Sequence, residues 1–289
     1  MPVLNVLRAE MFKVTHRRMT YILLGAHMGL VLLFYVILWL RLRQGPDHGF
    51  EGQIRYLALL EGMSFKNVVP YSLQLERFFN TLVCVIFTAT MMGNEYDWRT
   101  VGVAVSRGVP RRHFIAAKLV SGIVFTLIAV ALGFLVSMGA SAWFSHLYHL
   151  PFGTFTAERV LNALASLGRT TFVALPFVLM ALLFATIWRS AGQAVGFALG
   201  FFFLEGIFTG LLTSAHGLLA KIPQGMLNIN ATAVLKANGV LSADTQDRGP
   251  FNTALDNPDV WRGVAILSVY IAVFGIVAFW RFQQRDIQE

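Results

Sequence analysis

Residues 114–144 read FIAAKLVSGIVFTLIAVALGFLVSMGASAWF, with one charged side chain, Lys118, followed by 26 successive residues that carry none. A β-strand crossing a bilayer needs about ten residues of alternating pattern, whereas an α-helix needs roughly 20 mostly apolar ones to cross a hydrocarbon core about 30 Å thick. The stretch is continuous, not alternating, and has the length of the helical solution. A helix also satisfies its own backbone polar groups, which lipid cannot do.

Working outward, the same reading applies to five other charge-poor runs, which gives spans at about 20–40, 76–94, 113–144, 168–188, 191–213 and 261–281. The composition agrees. The 289 residues are 56% hydrophobic and 13% charged, against about 25% charged in a soluble globular domain. The expected fold is therefore all-α: a polytopic membrane protein with about six transmembrane helices in a single transmembrane domain, 1–289. The first run follows Arg8, Lys13, Arg17 and Arg18, but it is too long for a signal-peptide core and lacks a small-residue cleavage site, so it reads as a retained span.

Lys and Arg are about twice as dense in the segments that lie inside if the N-terminus is cytoplasmic, and cytoplasmic loops are the ones that retain positive charge. Both termini are expected in the cytoplasm and the chain in the inner (plasma) membrane. Residues 1–19 place Val3, Val6, Leu7, Met11 and Val14 at helical spacing among basic residues. This suits an interfacial helix, with its apolar face toward acyl chains and its cations toward anionic lipid; an ordinary basic flank orienting span one is the plainer alternative. Residues 45–73 read as an exposed loop with one short helix. Residues 214–259 read as an extracytoplasmic amphipathic segment, broken at Pro223 and Gly225, that caps the bundle or dips back into it.

Several residues invite a functional reading. Glu205 lies in the middle of the fifth span, where an ionisable group costs several kcal/mol unless it is protonated, paired or hydrated. A structural partner on another element, a contact lining a translocation path and a proton-coupling site remain open for it. Gly192, Gly196 and Gly200 recur every fourth residue and form a groove for close helix approach, either within the chain or in a dimer interface. His27 reads as a hydrogen-bonded packing residue; His146, His149 and His216 fall at or beyond span ends, which argues against haem held between helices. Glu76 and Arg77 are expected to be hydrated or paired near the outer surface. Cys84, the lone cysteine, excludes an internal disulfide and reads as a packing residue. The sequence contains no G-x-x-x-x-G-K-[ST] phosphate loop, H-E-x-x-H or G-x-S-x-G, so neither an ATPase site nor these catalytic centres are expected in this chain.

The segment 95–112 is the most distinctive. Asn94 or Asp97 is placed to cap a short helix whose Trp98, Val101 and Val105 share a face. Gly108 can supply a left-handed ending and Pro110 the start of the next helix. Here the chain resembles the permease subunits of ATP-binding-cassette exporters, the six-span type-2 family, in Glu95, Thr100, Ser106, Arg107, Arg111, Phe114 and Lys118. It departs from that pattern at Arg99, where the family usually has Gly.

The resemblance implies a cytoplasmic coupling loop at 95–112 that contacts a separate ATPase subunit through Glu95, Trp98, Arg99, Thr100, Val101, Val105, Ser106, Arg107, Arg111 and Arg112. It also implies a second permease copy or homologue, and ATP and Mg bound by the partner and not by this chain. Membrane lipid is the other expected partner, and nucleic acid is not expected. The expected function is the permease of an exporter of a hydrophobic or amphipathic substrate, with Glu205 a candidate on its path. An ion-coupled secondary transporter using Glu205 and a non-transport membrane anchor are the alternatives.

Overall fold

The computed structural model describes residues 3–154, 156–213, 217–239 and 259–284. The parts of segment 214–259 at 214–216, which include His216, and at 240–258, together with 285–289, lie outside the described residues. Every element described is helical: α1 (Val3–His16), α2 (Arg18–Arg43), α3 (Phe50–Met63), a 3-10 turn (Phe65–Asn67), α4 (Val68–Asp97), α5 (Thr100–Ser106), α6 (Arg111–Leu147), α7 (Ala157–Trp188), α8 (Ala191–Thr213), a 3-10 segment (Gly217–Gly225), α9 (Leu227–Lys236) and α10 (Val260–Gln284). Six of them, α2, α4, α6, α7, α8 and α10, are long and apolar enough to cross a membrane. The protein is a nearly all-helical, six-span bundle.

Burial separates the central helices from the peripheral ones. In α7 and α4 most of the apolar stretch is enclosed, whereas α2, α8 and α10 bury only narrow faces. The inward side of α2 is Thr20, His27, Val31, Tyr35 and Leu42, while Ile22, Leu32, Leu33, Ile37 and Leu40 are exposed. An outer face that apolar would associate in water and is at home in lipid. The centre is packed by Val85, Ala89 and Met92 of α4, Phe177, Met180 and Ala181 of α7, and Ala194, Ala198 and Phe202 of α8. Phe87 and Phe125 stack between α4 and α6, with ring centroids 3.7 Å apart.

Two boundaries differ from expectation. The second span begins at Val68, not at 76. Residues 45–73 are correspondingly not an open loop: α3 packs Tyr56, Leu59, Leu60 and Met63 against Tyr35, Leu42 and Phe144. The chain turns from α3 into α4 through one 3-10 turn, so the polar residues Gln74, Glu76 and Arg77 lie inside the helix. The fourth span begins at Ala157, not at 168, because the Thr156 hydroxyl accepts the Arg159 amide at 3.3 Å and caps a polar extension of the apolar run.

The N-terminal helix forms as expected. It lays Val6, Glu10 and Val14 inward and leaves Val3, Leu4 and Phe12 exposed, the two-faced pattern of a helix at a membrane surface. The break at Pro223–Gly225 is also present. Beyond it α9 is buried from Leu227 to Leu235, against α7, α8 and α10. A Cβ at Gly263 of α10 would lie 2.9 Å from the Asn230 carbonyl oxygen, so α9 and α10 approach backbone to backbone.

Among the described residues nothing packs into the glycine groove of α8. A Cβ at Gly192, Gly196 or Gly200 would meet nothing within 4 Å. The small residues that bring α8 against the bundle are Ala191, Ala194 and Ala198, on the opposite side. Gly93 of α4 has no room for a Cβ at all, since the Ala191 backbone occupies that space.

Candidate functional site

At the end of the bundle where α6 begins, four elements meet on one buried cluster of charge. α4 ends in a turn in which the Trp98 amide donates to Asn94 O at 2.9 Å and the Arg99 amide to Tyr96 O at 2.9 Å. Arg99 then adopts φ 56, in the left-handed region. A non-glycine residue there costs about 1–2 kcal/mol, which explains why glycine would be preferred before Thr100. The helix that follows, α5, is seven residues long. Gly108, at φ +81, closes it with its amide donating to Val105 O at 2.9 Å, and Pro110 stands immediately before α6.

Behind this corner Glu95 is 1% exposed and Lys118, on the first turns of α6, is fully buried. Lys118 Nζ lies 2.8 Å from Glu95 Oε1 and 2.6 Å from Glu10 Oε2 of α1. The first contact is a directed hydrogen bond; the second is an ion pair without hydrogen-bond alignment. Lys13 reaches Glu10 at 2.7 Å and Glu95 at 3.2 Å, and Arg17, between α1 and α2, reaches Glu95 at 3.0 Å. The Thr100 hydroxyl donates to the other Glu95 oxygen. Three cations thus surround two carboxylates, with Glu95 as the shared acceptor.

Burial works to lower the Lys13 pKa, but the Glu10 and Glu95 carboxylates outweigh it and hold the ammonium above its ordinary 10.5. The cluster is a clamp that ties α1, α4, α5 and α6 to one another. Among the described residues no group of three or more His, Cys, Asp or Glu is placed to hold a metal ion.

The residues expected at the partner-facing surface divide in two. Trp98 is 60% exposed, its indole 5.4 Å from the Arg17 guanidinium carbon, and Val103, Ser106 and Arg107 are exposed beside it. Glu95 and Val101 are instead buried, Val101 within the central core. The Trp98, Val101 and Val105 face is therefore not a single outward stripe, because Arg99 turns α5 so that Val101 points into the bundle. Arg111 donates to the Gln283 carbonyl of α10 at 2.9 Å. Asp97 caps no part of α5; it accepts the Ala191 amide at 3.1 Å and so starts α8.

Glu205 belongs to a second polar cluster. It is buried, with Oε1 accepting the Asn228 amide of α9 at 2.9 Å, Oε2 accepting the Asn228 side-chain amide, and the Thr209 hydroxyl at 3.4 Å. Arg77 of α4 joins the same turn, donating to Asn228 Oδ1 at 2.6 Å and to Thr232 Oγ1 at 2.5 Å. Its polar contacts pin α9 to α4 and α8, which is the structural reading of Glu205.

Glu76 is paired, as expected, but inside the bundle and not at an exposed surface. It is fully buried, with Oε2 2.9 Å from His27 Nε2, also fully buried. The early start of α4 carried it inward.

Six membrane-length helices, an amphipathic N-terminal helix and a buried charge clamp define a polytopic helical membrane protein. Within that class the chain belongs to the family described as "Protein of unknown function (DUF2705)", which it matches over residues 33–288. No curated protein matches it.

Proposed function

We propose that this chain is the membrane-spanning permease subunit of an ATP-driven exporter, worked by a separate nucleotide-binding subunit. The observation that carries the reading is the corner at residues 95–118. An exposed tryptophan and the exposed side of a short helix, at Val103 and Ser106, stand directly in front of a clamp that joins four elements. A subunit without its own phosphate loop must receive work by contact, and a rigid-body push on α5 would travel through Glu95 and Lys118 into α1, α4 and α6. Trp98 and Val103 supply the apolar anchors of such a contact, and Arg99, Arg107 and Arg112 its cationic rim. ATP and Mg belong to the partner in this reading.

In this reading the corner and both termini lie on the cytoplasmic side of the cell membrane, which the charge asymmetry of the sequence supports. A second copy of the chain, or a homologue, would meet the outward glycine face of α8 at Gly192, Gly196 and Gly200. A hydrophobic or amphipathic substrate would pass between the two permeases. The test is purification of the tagged chain from its native membranes, with a search for a nucleotide-binding ATPase that comes with it. Stable association is expected, with loss of transport but not of folding in Trp98→Ala and Val103→Asp. Absence of association, together with transport unchanged by both substitutions, would refute the reading.

A further inference from the structure

We infer that His27 and Glu76 form a proton-binding site inside the helix bundle, loaded with and emptied of one proton as α2 moves against α4 and α6. The inference concerns a site the ATPase reading does not use. Four observations carry it. Both side chains are fully enclosed, and Nε2 and Oε2 are 2.9 Å apart. Beyond that contact, His27 Nδ1 and Glu76 Oε1 have no hydrogen-bond partner among the described residues, so the pair keeps unused capacity on both sides.

Third, the space for the carboxylate is provided by an absent side chain: a Cβ at Gly133 of α6 would overlap both Glu76 oxygens. Fourth, the site is deep. Gly133 lies four residues past the middle of α6, about 6 Å at 1.5 Å per residue, well inside a hydrocarbon core about 30 Å thick. An ionisable group at that depth is a functional candidate by default.

The surroundings leave the pair to itself. From α2 come His27 and Tyr35, whose hydroxyl lies 3.2 Å from Ser141 Oγ; from α4 come Asn80 and Cys84, joined at 3.3 Å. α6 brings Gly133 and, one turn on, Ser137. The ionisable groups of α7 lie in its first four turns, where Arg159 bonds the Phe65 and Lys66 carbonyls and Arg169 the Ala237 carbonyl. Arg77 and Glu205 face Asn228. Lys118 is 15 residues before Gly133, about 22 Å along α6.

With no other charged side chain beside it among the described residues, the pair can hold one proton between carboxylate and imidazole, or accept a second. A proton from water adds to a Glu76 oxygen or a His27 nitrogen and leaves by the same route; no other bond changes. α2, which buries only one narrow face, is the element that can expose the pair.

The test uses the full chain in lipid nanodiscs and infrared difference spectra across a pH step. The expected result is a carbonyl band of one buried protonated carboxyl group that changes with pH, disappears in Glu76→Gln, shifts in His27→Gln and is unchanged in Glu205→Gln. No pH-dependent band in the wild type, its survival in Glu76→Gln, or its loss in Glu205→Gln would overturn the inference. If Glu76→Gln does not fold, His27→Gln decides, and an unshifted band there counts against the site.

Discussion

Replacing Glu95 by Gln removes the shared acceptor of the clamp while keeping its shape. Three cations then face one carboxylate, Glu10, so the local charge rises from about +1 to +2. Lys13 and Arg17 are 38% and 25% exposed and can turn toward water, and exposed pairs of this sort contribute about 1 kcal/mol or less. Lys118 has no such outlet, being fully buried. Breaking one side of a buried pair costs about 3–5 kcal/mol. Lys118 retains Glu10 at 2.6 Å, which puts Glu95→Gln at the lower end, about 3 kcal/mol.

Glu10→Gln leaves Lys118 and both other cations on Glu95 and should cost less, about 1–2 kcal/mol, within the range of a lost charged hydrogen bond. Equilibrium unfolding in mixed micelles, read by tryptophan fluorescence, measures both. A cost for Glu10→Gln equal to or above that of Glu95→Gln would refute the assignment of Glu95 as the hub.

The other predictions are narrower. Arg99→Gly should stabilise the protein by about 1 kcal/mol, because glycine holds φ 56 without strain; an unchanged unfolding midpoint would count against the left-handed corner. Gly93→Ala forces α4 off the Ala191 backbone and should cost about 1–3 kcal/mol. Gly196→Ala, open on its outer face, should leave monomer stability unchanged or raised and weaken cross-linking between copies if that face pairs. The tether of α1 through Lys13 should survive to alkaline pH. Its pKa is raised, so its contribution is complete below the ordinary 10.5 and is lost as pH rises through the higher folded value. Proteolysis of α1 against pH checks this, and release of α1 well below pH 10.5 would contradict it.

The spans were legible because a hydrophobic run of helical length has one solution in lipid. The helix that carries the second span begins earlier than its apolar run. Residues 68–73 include Pro70 and Ser72, which read as loop, and Glu76 and Arg77 read as the outer start of the span because their partners are distant in sequence: His27 for Glu76, and Asn228 and Thr232 for Arg77.

The clamp was half visible. Lys118 and Glu95 belong to the residues that carry the resemblance at 95–118, but nothing in that pattern points to Glu10, although it is the sole acidic residue before Asp47 and lies between Val6 and Val14 on the inward face of a basic helix. A lone acid on an apolar helix face and a lone lysine in an apolar run were complementary signals. The rotation of α5 was hidden, because it depends on the backbone angle of Arg99, a residue type that rarely adopts it.

Site-specific photo-cross-linking from positions 98 and 103 in native membranes is the most direct test of the central claim. The account predicts that a nucleotide-binding ATPase is captured from both positions and not from position 32, on the lipid-facing side of α2. Failure to capture an ATPase from either exposed position of the α5 corner, with the protein folded and abundant, would contradict it.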